Sequence, residues 1–162
     1  SLLSRPVRLR GIRTIDVTKE KDFTNEQTIN NIIRNLRGPG DVFFYCSPCT
    51  GGSAWQNLNV ELAKRIGWKH TMVRLVYHWD LHWRLWNSFE RVAKHCHDVG
   101  ATVLLEWPIF CTFWTEEKVS NFLRSLQFRF TVFDGCMYGI VSERGGHGRG
   151  VPIRKNIGGL PI

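Results

Sequence analysis

The chain has 162 residues, a length that supports one domain with its own core, and 43% hydrophobic against 22% charged residues is the balance of a globular protein. No apolar run approaches the roughly 20 residues needed to span a bilayer, so a membrane partner is not expected. The net charge of +8 points to a polyanionic partner, with nucleic acid the usual one.

The charge is uneven. Arg5, Arg8, Arg10 and Arg13 crowd one end, and Arg144, Arg149, Arg154 and Lys155 crowd the other among glycines. The five cysteines show no spacing of a secreted disulfide framework. Together with the lack of a signal-peptide pattern, this predicts reduced thiols in an intracellular setting, cytoplasmic or nuclear. The chain opens on Ser1 rather than Met, as a piece of a longer polypeptide or a processed product would.

Residues 1–11 form a basic lead-in without periodicity. Ile12 to Val17 predicts a short strand. Thr24 then opens a helix with Gln27 completing a capping box, and Ile29, Ile32, Ile33 and Leu36 make its buried stripe. Gly38-Pro39-Gly40 stops it, and Val42 to Tyr45 follows as a strand. From Thr50 to about Lys69 the pattern is irregular or helical.

A long helix covers roughly 80–98, with a start as early as Thr71. Leu81, Leu85, Phe89, Val92, Cys96 and Val99 form its core stripe, and Gly100 is its C-terminal glycine. Trp79, Trp83 and Trp86 share helical spacing and are expected to be a packed face, whereas Trp55 is a candidate for stacking on a base. Ala101 to Leu105 is a continuous apolar run, as in a strand covered on both faces. Thr115 caps a further helix with Glu116 and Glu117 in its first turn and Val119, Phe122, Leu123 and Leu126 inside. Phe128 to Phe133 is the last predicted strand.

This alternation predicts an α/β domain over 12–142. Its expected form is a doubly wound, mostly parallel, Rossmann-like sheet with helices on both faces, followed by a Gly/Arg-rich tail over 143–162. Ligands in such sheets sit outside the carboxyl ends of the strands. Three groups fall there: Cys49, Glu106 and Asp134. Cys49 follows Pro48 and precedes Gly51-Gly52, which leave room for close approach of a ligand. A thiolate in that position is a nucleophile once its pKa falls. Glu106 ends an apolar strand, so it must be paired or reach a cleft, where it can pass a proton beside the thiol's target. Asp134-Gly135-Cys136-Met137-Tyr138-Gly139 is a tight loop after the last strand.

The Phe44-Tyr45-Cys46-Ser47-Pro48-Cys49 strand end, the long helix after it and the Leu105-Glu106-Trp107 strand end resemble the DNA cytosine-5 methyltransferases. The resemblance implies a methyltransferase-like fold in which Cys49 adds to C6 of a flipped-out cytosine. Glu106 then holds and protonates N3, and S-adenosylmethionine gives the methyl group. It further implies substrate contacts from Ser47, Pro48, Thr50, Gly51, Gly52, Ser53, Trp107, Arg149 and Arg154, with Asp134 and Tyr138 on the cofactor side. The chain departs from the family where Thr50 replaces a glutamine and Trp107 an asparagine, and where the opening glycine-rich cofactor loop is missing. The Cys-Thr-Gly-Gly-Ser, Glu-Trp-Pro and Asp-Gly-Cys-Met-Tyr-Gly strings are also similar to a domain of retroelement-type polyproteins.

Other chemistries compete for the same residues. Cys46 and Cys49 form a Cys-x-x-Cys, the spacing of a thiol redox couple. The two cysteines with His78 and His82, or with the His95-Cys96-His97 cluster, offer zinc-type ligands. A catalytically inactive module that only binds nucleic acid or protein is the remaining alternative.

Overall fold

A computed structural model describes Val17, residues 21–132 and the backbone of 160–161. The basic lead-in, most of the strand expected over Ile12–Val17, and the segment bearing Asp134, Tyr138, Arg149 and Arg154 lie outside the described residues.

Helix α1 spans Glu26–Asn35. Its cap is Asn25 rather than Thr24: Asn25 Oδ1 accepts the Gln27 N–H at 2.8 Å. Thr24 instead gives both its N–H and its hydroxyl to Asp22 Oδ1, closing a turn before the helix. Ile29 and Ile32 face the core. The helix stops at Leu36, and Asp41 Oδ2 accepts the N–H groups of Arg37 and Gly38, which fixes the turn into the next strand.

Strand β1, Val42–Tyr45, pairs in parallel with β2, Thr102–Leu105, in the register Val42 to Thr102 through Tyr45 to Leu105. The crossover between them holds a short 3-10 turn over Thr50–Gly52, α2 over Trp55–Ile66 and α3 over Lys69–Val99. Gly67, at φ 71°, ends α2 in the left-handed conformation that L-residues avoid.

At about 1.5 Å per residue, the 31 residues of α3 run roughly 46 Å. Its second half buries His82, Trp86, Phe89, Val92, Ala93 and Cys96. The buried stripe is therefore rotated from the expected one, with Leu81 and Leu85 half-buried at its flank. Trp79 and Trp83 pack against the core as expected. Gly100 closes α3: its N–H bonds His97 O and that of Ala101 bonds Cys96 O, a paired cap that satisfies two end carbonyls.

After β2 come a 3-10 turn over Thr112–Thr115, then α4 over Glu117–Ser125, capped at Glu116 rather than Thr115. Strand β3 is only Phe128–Arg129, and it pairs antiparallel with β4, Leu160–Pro161.

The expected doubly wound sheet is not what forms. The described chain is mostly helical, with one two-stranded parallel sheet and a separate antiparallel pair. The reason lies in the strands themselves. A doubly wound sheet covers both faces of every strand, yet Val42 is 55% and Phe44 47% exposed on one face of β1. After β3, Phe130 and Val132 are likewise exposed, and the chain over 130–132 is not strand. Among the described residues no helix is long and apolar enough to cross a membrane.

The centre of the core is aromatic. Trp86 is fully buried and touches Phe89, Trp107 and Phe122 at ring separations of 4.8–5.7 Å, while its Nε1 donates to Glu90 Oε1 at 2.6 Å. Trp86→Ala removes the largest shared contact of α3, α4 and the residue after β2. Its expected cost is about 3–5 kcal/mol in urea unfolding, without loss of the fold's helical signal at low denaturant.

Candidate functional site at the ends of two parallel strands

The site follows from the register. Beyond the Tyr45–Leu105 pair, the Glu106 N–H still donates to Tyr45 O at 2.9 Å, so the ladder runs one step further. That step sets Cys46 beside Glu106. The Cys46 Sγ donates to Glu106 Oε2 at 2.6 Å. Cys46 is exposed and Glu106 is 6% exposed, so a solvent-facing thiol rests on a buried carboxylate. Among the described residues, Glu106 Oε1 has no hydrogen-bond partner.

The next step sets Ser47 beside Trp107. The buried indole Nε1 donates to Ser47 Oγ at 3.0 Å, which ties the two strand ends together inside the core. Trp107, expected to meet substrate, is fully buried. Below this pair, Tyr45 stacks on Phe89 at 4.5 Å. Burial holds the Tyr45 phenol above its ordinary pKa range, against a smaller opposing contribution from Ser47.

Cys49 is half-buried and precedes the 3-10 turn, its carbonyl accepting the Gly52 N–H at 3.1 Å. Pro48 and Thr50 are exposed. Thr50 O accepts from Gln56 Nε2 at 2.9 Å, and Ser53 O accepts the Gln56 N–H at 2.9 Å, so the turn is bound to the start of α2. Gly51 and Gly52 are buried. The space their missing side chains leave is taken by the chain itself: a Cβ at Gly51 would lie 3.3 Å from His78 and Phe113, and one at Gly52 2.7 Å from Cys111 Sγ.

Two residues not assigned a role on the sequence complete the cluster. Cys111 is a buried thiol whose pKa is pushed up to about 11, by burial first and then by the charges of Cys49 and Glu106. Phe113 lies flat on His82, with ring centres 3.5 Å apart and planes at 9°. His82 is buried among Trp83, Trp86 and Trp107, and neither ring nitrogen has a partner among the described residues. Its pKa falls to about 4, through burial first and the Lys118 charge second. No signal marked Cys111 or Phe113 in the sequence, because the contact depends on how the 3-10 turn seats against the loop after β2. Among the described residues, no group of three or more His, Cys, Asp or Glu side chains is arranged to hold a metal ion.

Gly52→Ala drives a methyl group into Cys111 and the Phe113 ring, and a stability loss of about 1–3 kcal/mol is expected in chemical denaturation. The His82 shift has a definite pH signature. The native pKa lies below the ordinary value of 6.5, so the unfolded chain takes up the proton first as pH falls. Stability from this residue is complete above about 6.5 and is lost as pH drops toward about 4. The slope approaches about 1.4 kcal/mol per pH unit, and it should be missing from the difference between wild type and His82→Phe in denaturation curves across that window.

Comparison with known proteins finds no family model, no curated protein and no solved structure that matches this chain.

Proposed function

We propose that the strand ends form a thiol–carboxylate reaction site that adds a cysteine to an electron-poor ring, with a cytosine of nucleic acid as the substrate class. The observation that carries this is the 2.6 Å bond from the exposed Cys46 Sγ to the buried Glu106. A thiol needs a base to become a nucleophile, and the ring needs an acid as it takes up electrons. One carboxylate serves both. The Cys46 proton passes to Glu106, the S–C6 bond forms, the C5–C6 π pair shifts to C4–C5, the C4–N3 π pair moves onto N3, and N3 takes the proton from Glu106. Cys49 is the second thiol of the site. The excess of basic residues favours a polyanionic substrate.

Asp134 and Tyr138, expected on the cofactor side, lie outside the described residues. Trp107, Phe113 and His82 fill the space behind the strand ends. Addition of the thiol needs only Cys46, Glu106 and the ring. A non-catalytic binding module draws support from the packing of His78, Cys111 and Phe113 around Gly51 and Gly52.

Addition is testable without a cofactor, because the adduct exchanges the cytosine C5 hydrogen with solvent. Incubating a single-stranded oligodeoxynucleotide with the protein in deuterium oxide should place deuterium at C5, read by mass spectrometry. Cys46→Ser should abolish the exchange, and Glu106→Gln should slow it by about a hundredfold or more. Wild-type protein that binds the oligonucleotide but gives no exchange supports the binding-module alternative and removes the catalytic one.

A further inference from the structure

The crossover helices leave apolar side chains in water. On α2, Trp55, Leu58, Leu62 and Ile66 follow the 3-4-4 spacing of one helix face, yet all are exposed, while Ala63 takes the buried side. At the junction and on the first half of α3, Trp68, Val73, Val76 and Tyr77 are each more than half exposed. The two helices are joined by Gly67 and Trp68 and pack against each other. Exposed apolar side chains gathered on two adjacent helices are the mark of an interaction surface.

We propose that this helical pair is a docking surface for an acidic amphipathic helix of a partner protein. Two observations select that occupant. First, the charge is one-sided. Residues 55–77 hold one acidic residue, Glu61, against Lys64, Arg65, Lys69 and Arg74. Glu61 is itself bonded to Lys64 at 3.2 Å. A second copy would bring like charges together, whereas an acidic helix complements them. Second, Trp55, Leu58, Leu62 and Ile66 repeat at the 3-4-4 spacing that a facing helix matches along about three turns.

The test uses the full chain and a fluorescein-labelled synthetic helix of about three heptads, with leucine at a and d and glutamate elsewhere. A counterpart carries lysine in place of glutamate. Anisotropy should show micromolar binding of the acidic peptide and about tenfold or weaker binding of the basic one. Leu62→Asp should weaken the acidic peptide by about tenfold or more. The double variant Arg65→Glu, Lys69→Glu should reverse the preference between the peptides. These side chains are exposed, and unchanged circular dichroism verifies that each variant is folded. Equal binding of both peptides, or binding of neither, overturns the proposal. So does dimerisation in sedimentation equilibrium that Leu62→Asp abolishes, which would make the occupant a second copy. So does binding of the chain to phosphatidylserine vesicles that the same substitution abolishes.

Discussion

The pairing of β1 with β2 is the constraint on which the rest of the chain depends. Parallel neighbours cannot be joined by a tight turn, so the chain leaves at Tyr45 and must return at Thr102. The 3-10 turn, α2 and α3 are that excursion. The return brings α3 across the strands with His82, Trp86 and Phe89 inward, and the aromatic core forms around it. The same register sets Cys46 against Glu106 and Ser47 against Trp107. A slip of one residue would exchange the faces of both strand ends. The buried carboxylate would then face the solvent side and the thiol would lose its acceptor.

Burying Glu106 carries a cost that its neighbours offset only in part. A carboxyl group removed from water needs acceptor sites filled. Cys46 fills one oxygen, and the other has no partner among the described residues. His82 carries the same kind of unfilled capacity among the described residues, with neither ring nitrogen bonded. A core optimised for stability alone would hold apolar groups of equal volume at these positions.

Much of the local structure was legible in the sequence. The Ile29–Ile32 stripe, the Val42–Tyr45 strand, the apolar run into Glu106 and the stop at Gly100 each depend on a signal within a few residues. What failed needed partners far along the chain. The alternating Phe128–Phe133 segment looked like a sheet strand, but only Phe128–Arg129 pairs, and it pairs with Leu160–Pro161 in the opposite sense. The stretch from Thr50 to about Lys69 read as irregular or helical; it forms α2, whose Leu58, Leu62 and Ile66 face water, so a core-facing stripe was not there to be read. Cys49 drew the eye through its glycines. Those glycines seat Phe113 and Cys111, and the bond to Glu106 belongs to Cys46, because parallel register is set by the whole crossover.

Helix α3 passes through two surroundings in one unbroken run. Its second half is anchored by the Arg91 bridge to Glu26 and by His95, whose Nε2 donates to the Leu36 carbonyl at 2.8 Å. Its first half has α2 beside it and Val73 and Val76 in water. Backbone amides open where burial is least. The hydrogen-bond ladder of α3 therefore unzips from Lys69 toward Cys96, and solvent exchange of its amides becomes progressively slower along the helix. The slow regime begins near His78 and His82, where the helix reaches the glycine turn and the strand ends. The Gly51-Gly52 turn thus lies beside the boundary between the less buried and the more buried part of the helix.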